Sequence, residues 1–120
     1  MMETRPFVIR REGATLIAKL HHVPVFRGED SRPMVEEIRR LVTDELKGVI
    51  IDMAEVESMN SMALGDLLGL GAGLRSRGLR LVLAGLTNRV RDVILVVKVE
   101  SLMPSYTTLD AAKAAVASQQ

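Results

Sequence analysis

The 120-residue sequence predicts an α/β fold, a mixed β-sheet of about five strands with about four flanking helices. Residues 1–120 are expected to form one domain, because a chain of this length suits a single hydrophobic interior. Three observations lead there. Val49-Ile50-Ile51-Asp52-Met53 is an apolar run of strand length, an amphipathic helix pattern follows to Arg77-Gly78, and Leu79 to Ala84 is a second such run. A strand–helix–strand unit normally joins two parallel strands by a right-handed crossover. Upstream, Phe7–Arg10 and Ala14–Leu20 read as two strands around the tight turn Arg11-Glu12-Gly13, which makes the sheet mixed.

In the second strand Ala14, Leu16, Ala18 and Leu20 share one face, and Thr15, Ile17 and Lys19 the other. His21 to Phe26 continues as an irregular extended segment, where Pro24 argues against a central strand. Gly28-Glu29-Asp30-Ser31 is turn chemistry leading into a helix with Pro33 in its first turn. Val35, Ile38, Leu41, Val42 and Leu46 form its buried stripe, Glu36 and Arg40 pair outside, and Gly48 stops it. After the strand Leu79–Ala84, Gly85 to Asn88 is a turn, and Thr87 or Asn88 caps a helix carrying Val90, Val93, Ile94 and Val97. The run Val93–Val99 is rich in β-branched residues and by propensity alone reads equally as a strand. Leu102-Met103-Pro104 reads as a short edge strand, and Thr108 caps a last helix over Leu109–Ala117, made of strong helix formers.

Composition narrows the function classes. Net charge is +1, from 16 basic and 15 acidic residues, too balanced for a nucleic-acid backbone to be the partner. Aromatic residues are 2%, which removes the stacking platforms that hold single strands. There is no cysteine, hence no thiolate metal site and no cysteine nucleophile. No apolar run approaches the roughly 18 residues of a membrane span, and the first residues lack a signal peptide's apolar region. A cytoplasmic protein without membrane insertion is expected.

The most informative stretch lies between the first parallel strand and its helix, Met59-Asn60-Ser61-Met62-Ala63-Leu64-Gly65-Asp66-Leu67-Leu68-Gly69. Asn60 is a good N-cap, since its side-chain oxygen accepts from an otherwise unpaired N–H of the first turn. Ser61 then occupies the first helical position, beside the positive end of the helix dipole. A hydroxyl there is exposed and well placed to carry a phosphate.

This stretch resembles the signature of STAS domains of the anti-sigma-factor-antagonist type, in which strand, short loop and Met-Asp-Ser-Ser-Gly-Leu-Gly-x-x-x-Gly precede a helix. Met59, Ser61, Leu64, Gly65 and Gly69 match, whereas Asn60 replaces the Asp, Met62 the second Ser and Ala63 the Gly. Leu79 to Tyr106 is similar to the family's next strand, helix and short strand. The resemblance implies the STAS fold and favours helix over strand for the segment after Asn88. It also implies a non-enzymatic switch. The unphosphorylated protein binds an anti-sigma factor that is also a serine kinase, phosphorylation of Ser61 breaks the complex, and a PP2C-type phosphatase restores it. A homodimer is compatible with this. Asn60 keeps the cap but removes a carboxylate, and Met62 sets a flexible apolar side chain beside the serine. Both changes suit a divergent member, one that docks on a partner yet is a poor phosphoacceptor. The alternatives are a non-phosphorylated accessory subunit of an ABC-type lipid-transport complex and a signalling scaffold; the bland alternative is that Asn60-Ser61 only caps the helix.

Other chemistries fail on spacing. Gly69, Gly71 and Gly73 fall inside the helix pattern and not in a strand-to-helix turn, so they do not cradle a phosphate. Ser61 lacks a Gly-x-Ser-x-Gly frame and a separate histidine, which argues against hydrolysis. His21-His22 and the acidic Asp52, Glu55 and Glu57 each lack a second ligand cluster; no metal and no cofactor are expected. On the helix itself Ala63, Leu64, Leu67, Leu70, Gly71 and Leu74 gather on the sheet side at about 100° per residue. Met62, Gly65, Gly69, Ala72, Gly73 and Ser76 gather on another face alongside Ser61. Glycine costs about 0.5–1 kcal/mol relative to alanine in a helix, so something is expected to approach closely. That is either a partner, which would make Asn60, Met62, Gly65, Gly69 and Gly73 its contact residues, or the helix that begins near Asn88.

Overall fold

The structure, a computed structural model, describes residues 5–118. Its elements run β1 (Phe7–Glu12), β2 (Thr15–Leu20), β3 (Val23–Phe26), α1 (Gly28–Leu41), β4 (Gly48–Asp52), β5 (Val56–Met59), α2 (Ser61–Ser76), β6 (Arg80–Ala84), α3 (Asn88–Val97), β7 (Ser105–Tyr106) and α4 (Leu109–Ala117). The main sheet is five-stranded in the order β1-β2-β4-β6-β7, with only β1 antiparallel. The mixed α/β architecture with four helices is therefore the one expected.

The hairpin forms because Gly13 takes φ +58, the left-handed conformation that a two-residue turn needs at its first position. β1 runs on through Glu12, so the turn is Gly13-Ala14, later than the sequence suggested. Alternation then splits β2 between two cores: Leu16, Ala18 and Leu20 join the large cluster, Ile17 the small one. The large cluster is built with Met34, Val35 and Ile38 of α1, the leucines of α2, and Val90 and Ile94 of α3. On the opposite face α4 covers Ile17, Ile50 and Val82 with Ala112 and Val116. Gly48 permits that closure, because a Cβ there would lie 2.9 Å from the Arg80 carbonyl oxygen and 3.1 Å from Val116 Cγ1.

Several elements differ from expectation. α1 starts at Gly28, with Arg27 as its N-cap residue, so Pro33 lies inside the helix and not in its first turn. It stops at Leu41, not at Gly48; Val42 is extended, and Val42 and Leu46 bury their side chains from the following loop. Lys47 N–H reaches the Ala14 carbonyl at 2.7 Å, which opens the β2–β4 ladder and ends the room for helix. Leu41 is 45% exposed, and the outer ion pair joins Arg40 to Glu37, not Glu36, at 3.7 Å. Residues 56–59, where no strand was expected, form β5 and pair in parallel with β3 as a separate two-stranded sheet. Ser58 Oγ donates to the Pro24 carbonyl at 3.0 Å across that ladder. Helix wins over strand at α3, capped by Thr87, whose Oγ1 accepts from Val90 N–H at 3.3 Å. Val97 lies on its outer side, and Leu95, Val96 and Val97 are all exposed. The edge strand is Ser105–Tyr106 and not Leu102–Pro104, since Met103 turns inward and the Pro104 carbonyl accepts from Leu83 N–H at 2.9 Å.

Candidate functional site

The site is assembled where β5 hands over to α2. Phe26 and Met59 are register partners of the small sheet, and Asn60 N–H donates to the Phe26 carbonyl at 3.0 Å. Asn60 is extended, and its Oδ1 accepts from Ala63 N–H at 3.0 Å, closing the first turn of α2. Ser61 follows as the first helical residue and is exposed. Among the described residues its hydroxyl has no hydrogen-bond partner. A polar group this open, next to a cap that does not need it, is free for chemistry or contact.

Met62 is 55% exposed, and its side chain lies over Gly28 at the start of α1. A Cβ on Gly28 would collide with Met62 Cγ, so this glycine fixes how closely the two helix starts approach. Sequence reading took Gly28 as turn chemistry only. One turn deeper the buried Ser31 hydroxyl donates to Asp66 Oδ2 at 2.6 Å, joining α1 to α2. Neither residue stood out in the sequence, because their pairing spans 35 positions.

The buried residues of α2 are Ala63, Leu64, Leu67, Leu70, Gly71 and Leu74. Gly65, Gly69 and Gly73 are exposed. A Cβ on Gly65 or Gly73 would meet nothing within 4 Å, and one on Gly69 would meet only Arg39 Nη2 at 3.9 Å. α3 packs against β5 and does not cover these glycines; α1 is the neighbouring helix. Arg32, Glu36 and Arg39 of α1 face Gly65, Asp66 and Gly69 across a shallow cleft. Asn60, Ser61, Met62, Gly65, Gly69 and Gly73 therefore belong to one open surface beside the α1–α2 seam.

The remaining polar candidates lie elsewhere. Glu55 accepts from His22 N–H at 3.1 Å and lies within 3.8 Å of His21 Nδ1 and 3.5 Å of Lys19 Nζ. The His22 N–H first, then the charges of His22, Lys19 and His21, hold the Glu55 carboxyl below its ordinary range. Asp52 is buried and accepts from Ala54 N–H at 3.1 Å, a structural role. Among the described residues no group of three or more His, Cys, Asp or Glu side chains is arranged to hold a metal ion. No helix among them is long and apolar enough to cross a membrane.

Residues 30–112 match the family model described as STAS domain. No curated protein matches the sequence. Among solved structures the chain is similar to an anti-sigma-factor antagonist (STAS) domain protein from Planctomyces limnophilus, with 14% identity, a TM-score of 0.83 and coverage of 95% of this chain and 99% of the other. It is similar to an anti-sigma factor antagonist from Mycobacterium paratuberculosis, with 19% identity, a TM-score of 0.78 and 92% of each chain covered. A sulfate transporter family protein from Wolinella succinogenes gives 18% identity, a TM-score of 0.74 and coverage of 87% of this chain and 85% of the other. At these identities the likeness establishes the fold.

Proposed function

Since this chain belongs to the STAS domain family, we propose that it is an anti-sigma-factor antagonist-like partner-switching protein, binding an anti-sigma factor that is also a serine kinase and controlled by phosphorylation at Ser61. The observation that carries this reading is the exposed Ser61, at the position of the family's phosphoacceptor and at the edge of an open face. The kinase transfers the γ-phosphoryl group of ATP to Ser61 Oγ and takes the hydroxyl proton; a PP2C-type phosphatase hydrolyses the ester. The modification adds roughly −1.5 to −2 charges to the contact surface, while a helix start tolerates an anion. Binding is then lost through repulsion and desolvation, with the fold intact. Asn60, Met62, Gly65, Gly69 and Gly73 form the partner surface, and the chain performs no chemistry of its own. The reading places the protein in the cytoplasm, where such kinases use ATP.

Incubation with the cognate kinase and ATP, followed by peptide mass spectrometry, tests it. Modification at Ser61 alone is expected; modification at Ser58 instead, or none, overturns it. Ser61→Asp should weaken partner binding while changing stability by under about 0.5 kcal/mol, as exposed substitutions do.

A second reading is favoured by Asn60, Met62 and Ala63, which depart from the phosphoacceptor motif. In it the domain is an accessory subunit of an ABC-type lipid-transport complex, or a signalling scaffold, and docks through the same face without modification. Co-purification with transporter subunits, unchanged in Ser61→Ala, supports this second reading over the first.

A further inference from the structure

Arg27 and Ser61 lie on two segments that are held together from both sides. Phe26 pairs with Met59, Asn60 N–H donates to the Phe26 carbonyl at 3.0 Å, and beyond them Met62 packs on Gly28. Residues 26–28 and 59–62 thus run side by side; continuing the register sets Arg27 opposite Asn60, and Arg27, Asn60 and Ser61 are the exposed residues between the two contacts. Adjacent strands lie about 4.8 Å apart, and an extended arginine side chain is long enough to cross that spacing beside Asn60 and reach the next residue, Ser61. Arg27 uses its backbone N–H to bond Asp30 Oδ2 at 3.2 Å, but among the described residues its guanidinium forms no ion pair.

We propose that Arg27 is the intramolecular partner of a phosphate carried on Ser61. This rests on the reading of Ser61 as a phosphoacceptor and adds how the modified state is held. In the unmodified protein the guanidinium is open to solvent and to an acidic group of the partner. Once Ser61 is phosphorylated, the planar fork of N–H donors binds the phosphate oxygens in pairs, which a lysine at that place does less well. Phosphorylation then changes the surface twice, adding an anion and withdrawing a free cation. Glu29 and Asp30 are the acidic residues beside Arg27 on the first turn of α1, and among the described residues neither forms an ion pair with its guanidinium.

The test needs neither kinase nor partner. Phosphoserine is installed at position 61 during translation, and the ³¹P signal is followed through the second ionisation near pH 6. A nearby opposite charge favours the dianion, and solvent screening weakens the effect for an exposed pair. The midpoint in the otherwise wild-type protein is expected about half a unit below that of Arg27→Gln, a roughly threefold difference in the dianion-to-monoanion ratio at one pH. Arg27→Lys should keep part of the shift. Arg75→Gln, at the far end of α2, should keep all of it. Should Arg27→Gln fail to fold, Arg27→Met, which retains much of the apolar stem, repeats the comparison. Equal midpoints with and without Arg27, or an equal rise in Arg75→Gln, overturn the proposal. Absence of a kinase that modifies Ser61 would overturn the proposed function and leave this ³¹P result standing.

Discussion

Replacing the exposed glycines of α2 should stabilise the protein. A Cβ at Gly65 or Gly73 enters open space, and at Gly69 it reaches only the mobile end of Arg39 at 3.9 Å. None of the three has a positive φ, so alanine is unstrained at each. The helix-propensity gain is about 0.8–1.0 kcal/mol per site. With a urea m-value of about 2 kcal/mol/M, Gly69→Ala should move the unfolding midpoint up by about 0.4–0.5 M. Gly65 and Gly73 lie about 12 Å apart along the axis, far enough for their effects to add to within about 0.5 kcal/mol. The double alanine variant should therefore gain about 1.6–2 kcal/mol, or about 0.8–1 M. Gly69→Leu, whose Cβ meets only the Arg39 terminus, should unfold near the wild-type midpoint, yet lose partner binding because its branched side chain stands on the proposed docking face. Urea denaturation followed by circular dichroism, with a binding assay alongside, reads both. If Gly69→Leu loses about 1–3 kcal/mol, the cost of overpacking, the face is packed and the reasoning fails.

Asn60→Ala should cost about 1 kcal/mol, since it removes the 3.0 Å bond to Ala63 N–H, and Asn60→Asp should restore the loss; equal stability of all three proteins would show that the cap is idle. Gly48→Ala should cost about 1–3 kcal/mol in the same denaturation assay, because the new methyl group meets the Arg80 carbonyl oxygen at 2.9 Å and Val116 at 3.1 Å. Glu55 contributes stability while it is ionised, because its folded-state carboxyl is held below the ordinary 4.5. That contribution is present above the unfolded value and is lost as the pH falls through the lowered folded one. The stability difference between wild type and Glu55→Gln should accordingly be largest near neutrality and shrink in acid; a difference that grows in acid would contradict the assignment.

Local chemistry was enough to read much of this protein. Gly13 at its turn, the alternation of β2, the caps Asn60, Thr87 and Thr108, and the leucine face of α2 follow from side chains acting within a few residues of themselves. So does the position of Ser61, which depends on one cap and one helix start. The βαβ arrangement of β4, α2 and β6 is similarly local in origin, since one apolar strand, one amphipathic helix and a second strand admit few packings. What the sequence did not determine involves partners far apart in the chain. α1 stops at Leu41 because Lys47 must reach Ala14, and residues 56–59 become a strand because β3 lies beside them. Ser31 meets Asp66 and Met62 covers Gly28 across the α1–α2 seam, and the pairing of β3 with β5 brings the segment of Arg27 alongside that of Asn60 and Ser61. Periodicity also showed that one face of α2 was small, but not what lay against it. Only the packing of α3 on β5 and of α1 beside α2 left those glycines open, because which helix neighbours which is decided by how the whole sheet buries its two faces.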